Sequence, residues 1–157
     1  MKICLTVIGK MDDKALSQLF EKYAKRITHY LPFELEIIDD VKNAKNISEN
    51  EQKNLEGNKI LKSLQAGDHV ILLDEHGTEF TSTEFSRLLD KRAQLTAKRL
   101  VFVIGGPYGF SQDVYNRANE MLSLSKMTFT HEMVRLVFIE QLYRAMTILN
   151  GEPYHHE

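Results

Sequence analysis

The sequence predicts an α/β domain with a mainly parallel sheet and helices on both faces, and three observations predict it. Strand-like apolar runs alternate with helix-spaced runs almost throughout. Two of those runs, Val70-Ile71-Leu72-Leu73 and Val101-Phe102-Val103-Ile104, are apolar at every position, as strands covered on both faces are. Val101 to Ile104 breaks at Gly105-Gly106-Pro107, and the run Met121-Leu122-Ser123-Leu124 breaks at Ser125-Lys126-Met127-Thr128. In open α/β sheets such carboxyl ends face a crevice that holds a ligand, and these two ends suggest one crevice built from both.

Ile3 to Ile8 is a compact apolar strand closed by Gly9-Lys10. Asp12 or Asp13 is placed to cap a helix in which Leu16, Leu19, Phe20, Tyr23 and Ile27 recur at helical spacing, stopped by Leu31-Pro32. Phe33, Leu35 and Ile37 alternate with Glu34 and Glu36, which suits a strand near a sheet edge. Asp39 to Ile47 lacks apolar spacing and reads as a loop. Ser48-Glu49-Asn50-Glu51 has the form of a capping box, opening a helix to about Leu64 that should bury Leu55, Ile60, Leu61 and Leu64.

Ala66-Gly67-Asp68 turns the chain into the strand His69 to Leu73, and Asp74-Glu75-His76-Gly77 reads as its closing turn. Thr81 to Thr83 is placed to cap a helix carrying Phe85, Leu88, Leu89 and Leu95. After the strand Leu100 to Ile104, Ser111 is placed to cap a short helix, with Asp113 favourable at the positive end of its dipole. A strand near Leu122 precedes the longest helix, about Glu132 to Asn150, ended by Gly151 and Pro153. Apolar residues cover nearly every angle of this helix, so it should be central in the fold or buried at a subunit interface; a homodimer is expected. No repeat or linker interrupts the 157 residues, which read as one domain, 1–157.

Lysine and arginine total 20 against 22 acidic residues, a net charge of −2, which excludes a broad electrostatic grip on nucleic acid or anionic lipid. Cys4, the one cysteine, lies inside the first apolar run and reads as a buried thiol in a reducing cytoplasm. The opening MKICLTVIGK reads as a strand and not a signal, and no apolar run approaches the ~18 residues of a membrane span. The expected location is cytoplasmic, with no membrane partner.

GGPYG at 105–109 is neither a dinucleotide fingerprint nor a phosphate loop, and no GxSxG elbow occurs. Six scattered histidines without a cysteine pair or HExxH give no metal site. In the last helix, His131 and Arg135 are four apart, as are Glu140 and Arg144 on roughly the opposite side. Two readings stand. Either Glu140 pairs with Arg144 while His131 helps cap the helix, or the arginines and His131 face a crevice and hold a phosphate or a base carbonyl.

The succession VFVIGGPYGF, LSLSKMTFTHEMVRLVFIEQLYRA and GEPYHHE, with MKICLTVIGK at the start, resembles the ribosomal large-subunit pseudouridine N3-methyltransferases of the SPOUT superfamily. The likeness covers the whole chain and is most specific in its C-terminal half. It implies a C-terminal trefoil knot, which the general rarity of threaded chains would not suggest, and S-adenosylmethionine as cofactor in a homodimer. It places the cofactor on Leu73, on Gly105, and on Leu124, Ser125, Lys126, Met127, Thr128 and Phe129. The implied substrate is ribosomal RNA within the assembled ribosome. Tyr154-His155 matches the family's terminal motif, and Thr130 stands where most members carry Pro. The candidate catalytic residues are therefore Arg135 and Arg144, positioning or stabilising charge, with His131, Tyr154 and His155 near the base and His155 as proton acceptor. The alternatives are a SPOUT methyltransferase of transfer RNA and a non-catalytic ribosome-associated α/β protein.

Overall fold

The protein is described from a computed structural model covering residues 1–156. Five strands, β1 (Lys2–Ile8), β2 (Phe33–Ile38), β3 (His69–Glu79), β4 (Arg99–Ile104) and β5 (Glu120–Ser123), form one sheet in the order β2-β1-β4-β3-β5. Every pairing is parallel, and β2 lies at an edge, as its half-polar pattern suggests. Five α-helices connect and follow them: α1 (Lys14–Ile27), α2 (Glu49–Ser63), α3 (Ser82–Ala93), α4 (Gln112–Arg117) and α5 (His131–Leu149).

Local chemistry fixes the helix starts. Asp13 Oδ1 accepts hydrogen bonds from the Ala15 and Leu16 amides, Ser111 Oγ from Val114 and Thr130 Oγ1 from Met133. The reciprocal capping box forms at Thr81 and Glu84, whereas the Ser48 side chain accepts from the Glu51 amide. With Thr130 as the cap, α5 begins at His131, so that histidine is the first helical residue and not part of the cap.

Strand alternation splits the core in two. Leu5, Ile71, Phe102 and Leu122 point to one face, where α1, α3 and α5 add Phe20, Phe85, Phe138 and Leu142. Cys4, Val70, Leu72, Val101 and Val103 point to the other, covered by Ile60 of α2 and by Phe110 and Val114 at α4. Cys4 is buried as expected.

Three expectations need correction. Asp74 to Gly77 does not end β3: the strand bulges there and resumes, because Thr78 and Glu79 pair with Leu122 and Ser123 of β5. Leu95 lies outside α3, which closes when the Gln94 amide bonds back to the Lys91 and Arg92 carbonyls. On α2, Leu55 is 44% exposed while Glu56 and Gly57 are buried. The helix turns this face inward because Gly57 lies against α4, where a Cβ would stand 2.3 Å from Ser111 Oγ. The 39–47 segment also contains a short 3-10 turn, Ala44–Asn46. No helix among the described residues is long and apolar enough to cross a membrane.

Candidate active site

Parallel strands end together, so their carboxyl ends gather loops of different sequence at one edge of the sheet. A cavity of about 960 Å³ opens there. Its floor is the ends of β1 and β4, Ile8-Gly9 and Ile104-Gly105-Gly106. The β3 bulge, Leu73 to His76, forms one wall; Gln52 and Glu56 of α2 with Tyr115 of α4 form another. Thr128, Phe129, His131 and Val134 bring the entry to α5 against it.

The wall is acidic. Asp12, Asp40, Glu56, Asp74 and Glu75 line it with a single lysine, Lys10. A phosphate-rich strand is repelled by such a lining, whereas a compact cationic ligand is favoured. Within it, Tyr115 Oη donates to Asp74 Oδ2 at 2.5 Å, and the His76 amide donates to Asp74 Oδ1 at 2.8 Å. Burial pushes the Asp74 carboxyl up, but these bonds, with the His76 ring, more than offset it and hold it below the usual carboxylate range. Burial and the bond to Asp74 push the Tyr115 phenol up to about 12, so it remains a donor.

Of the residues expected to hold a cofactor, Leu73, Gly105, Thr128 and Phe129 line this cavity. Leu124 faces a second, smaller hollow of about 270 Å³ between α3, β5 and α5. Ser125, Lys126 and Met127 line neither. The Ser125 hydroxyl accepts from the Met127 amide, Lys126 extends to within 3.9 Å of Glu79, and Met127 is 79% exposed. The acidic wall and the β1 end were not expected, because residues far apart in sequence compose them. A signal did exist in Asp74-Glu75-His76-Gly77, the polar end of a fully apolar strand.

The candidate catalytic residues divide between the two ends of α5. His131 lines the cavity, and Arg135, one turn on, is 2% exposed, donating from Nη2 to the Ile8 carbonyl at 2.7 Å. Arg135 thus ties α5 to the end of β1 without lining the cavity itself. Arg144 lies about 20 Å from His131 along the helix, at 1.5 Å per residue. There it donates to Glu140 at 2.7 and 3.1 Å, stacks 4.8 Å from the Tyr154 ring and donates from Nη1 to His155 Nδ1 at 3.1 Å. The Glu140–Arg144 pairing considered from the sequence therefore forms, but inside a larger cluster. Tyr154 Oη donates to Glu140 and meets Tyr23 Oη at 3.5 Å; burial, the Tyr23 contact and the Glu140 charge hold its pKa well above the ordinary phenol value. Tyr30 donates to Glu152, pinning the tail against the turn that follows α1.

Comparison with known proteins decides the family. The family model described as "Predicted SPOUT methyltransferase" matches residues 1–155. The chain belongs to the SPOUT methyltransferases. Among its relatives, the ribosomal RNA large subunit methyltransferase H of Parabacteroides distasonis is 61% identical, with all of both chains aligned. The proteins of the same name from Christiangramia forsetii and Flavobacterium johnsoniae are 57% and 56% identical, over 99% and 100% of both chains. Relatives this similar along their whole length share the fold, so this SPOUT chain carries the cavity and the tail cluster within the span its relatives share.

Proposed function

We propose that this SPOUT methyltransferase transfers the methyl group of S-adenosylmethionine to N3 of a pseudouridine in large-subunit ribosomal RNA, acting on the assembled ribosome. The observation that carries this reading is the end-to-end likeness to ribosomal RNA large subunit methyltransferases, which includes both the cavity and the tail. The donor's positive sulfonium and ammonium groups suit a wall with five carboxyl side chains and one lysine. Leu73, Gly105, Thr128 and Phe129 would hold it, with the Leu124 to Met127 segment folding over it and the chain passing through the trefoil knot of the family.

When bound, the donor supplies an electrophilic methyl carbon, so the protein's task is alignment and stabilisation of the N3-deprotonated base. Arg135 fixes α5 on the end of β1 and so sets the place of His131 at the cavity. Arg144, Tyr154 and His155 form the acceptor-side group, with Arg144 contributing the positive charge that favours an anionic base. Because an arginine only donates, His155 Nδ1 is the acceptor in their bond. His155 takes a proton at that nitrogen only if Arg144 releases it, which couples base positioning to proton acceptance. His131 and Arg144 stand about 20 Å apart along α5. A homodimer that lays the tail of one protomer against the cavity of its partner unites them, and it pools the few exposed cations for RNA. With a net charge of −2, recognition rests on the shape of the assembled ribosome, and the enzyme works in the cytoplasm where ribosomes are.

The test is methyl transfer from labelled S-adenosylmethionine to ribosomes from a strain lacking this activity, with nucleoside mass analysis. N3-methylpseudouridine in ribosomes, and little label in protein-free ribosomal RNA, is the expected outcome. Label appearing in transfer RNA instead, or in no RNA at all, contradicts it.

A further inference from the structure

Glu56 is an anomaly that neither the fold nor the alignment of the methyl group explains. It sits in the middle of α2, 2% exposed, on a helix that leaves Leu55 in water beside it. Its Oε2 accepts from Gln52 at 3.2 Å, but Oε1 is buried without a hydrogen-bond partner, one of two such side-chain atoms among the described residues. An unpaired buried carboxyl oxygen is costly, and a helix facing an apolar sheet has cheaper choices at that position. The carboxyl group lines the cavity and presses on the glycine turn: a Cβ on Gly106 would lie 2.4 Å from Oε1. Gly106 is therefore required by the approach of Glu56, and the two come from segments about 50 residues apart.

Burial pushes the Glu56 carboxyl up, and Gln52 offsets this only in part. Across the cavity, Asp40 opposes its ionisation and Lys59 on α2 favours it. Groups kept in so unfavourable a state are characteristic of ligand sites, where the missing partner arrives with the ligand.

We propose that Glu56 is a specificity-determining residue of the donor site, its unpartnered Oε1 accepting a hydrogen bond from an N–H or O–H group of the bound nucleoside. This rests on the methyl-donor reading above. Three groups of S-adenosylmethionine have this chemistry: the ribose hydroxyls, the adenine amino group and the ammonium of the amino-acid end. α2 thereby becomes a binding element, although the sequence marks it only as a helix with a few leucines.

The experiment is calorimetric titration of the full-length wild type, Glu56→Met and Glu56→Gln with S-adenosylhomocysteine and with 5′-methylthioadenosine, which keeps the ribose but lacks the amino-acid end. Each ligand-free chain is also melted. Methionine fills a similar volume with no unpaired oxygen, so E56M should melt higher than the wild type yet bind S-adenosylhomocysteine about tenfold or more weaker. E56Q keeps an acceptor but not a charge-assisted one, and should bind about fivefold weaker. Equal losses for both ligands assign the adenosine part, its ribose or adenine amino group; a loss confined to S-adenosylhomocysteine assigns the ammonium. If E56M binds within twofold of the wild type, or melts lower with its affinity intact, Glu56 is structural and the proposal falls. Should E56M fail to fold, wild-type affinity in E56Q overturns it in the same way. A wild type that binds neither nucleoside overturns the donor reading together with this one.

Discussion

On one face of the sheet, α1, α3 and α5 lay Phe20, Phe85, Phe138, Ile139 and Leu142 onto Leu5, Ile71 and Phe102, and the Phe102 and Phe138 rings approach to 4.8 Å. On the other, α2 and α4 with their flanking loop cover Val70, Leu72, Val101 and Val103 with Ile60, Phe110 and Val114, and with Leu61, Leu64, Tyr115 and Ala118 only partly buried against them. The first layer is packed as a core. The second gives up apolar contact to bring Gln52, Glu56 and Tyr115 to the cavity. The contrast shows how one sheet serves two needs: a rigid layer holds the strand ends in place, and a thinner layer, less committed to packing, supplies polar groups to the space those ends enclose. The thin face thus adds polar groups to the cavity, and α5 brings His131 to it from the rigid one.

The comparison breaks most readily at Phe138, which is fully buried between Phe85 and Phe102. Phe138→Ala should cost about 3–5 kcal/mol in denaturant unfolding, and a loss under about 1 kcal/mol would mean that this layer is not the rigid one. On the thin face, Gly57→Ala drives a methyl into Ser111 and should cost about 1–3 kcal/mol as α2 is forced off α4. Donor affinity should fall with it, because the same helix carries Glu56; an unchanged affinity would separate α2 from the site.

A pH series sharpens the contrast further. The folded-state pKa of Glu56 is raised above its unfolded value, so the protonated form favours the fold. That contribution is present below the ordinary glutamate value near ~4.3 and is lost as pH rises through the raised value. The stability of Glu56→Gln relative to the wild type should therefore grow from pH 4 to pH 8, and a flat difference would mean that the carboxyl ionises without penalty. The smallest effect is expected at Leu55, whose exposure predicts that Leu55→Lys changes stability by no more than about 0.5 kcal/mol. A larger loss would restore the inward face that the leucine spacing suggests.

Much of the rigid layer was legible in the sequence. The periodicity of α1, the all-round apolar character of α5, the apolar runs of β3 and β4, and the caps at Asp13 and Thr81 are local signals, and local chemistry decides them. The thin layer was legible only in part, at the Ser111 cap and at Ile60. Leucine spacing on α2 points to Leu55, while the structure buries Glu56 and Gly57, because a loop and a helix from distant sequence set the rotation of α2. Asp74 to Gly77 has every mark of a turn, and only pairing with β5 carries β3 past it. The tail shows the same limit. Tyr154 and His155 stood out through resemblance to the family, but nothing local indicates that Tyr154 packs with Tyr143 and meets Tyr23. At the cavity, Leu73 and Gly105 were legible as strand ends, whereas its acidic wall is an assembly of five carboxyl side chains from separate segments.

The most direct test of the account is a crystal structure of the full-length protein grown with S-adenosylhomocysteine. The account predicts the nucleoside in the cavity at the strand ends, against Leu73, Gly105 and Thr128, with a donor group of the ligand on Glu56 Oε1. A nucleoside bound at the Arg144–Tyr154 cluster with that cavity empty would contradict it, and the division of labour between the two faces would have to be drawn again.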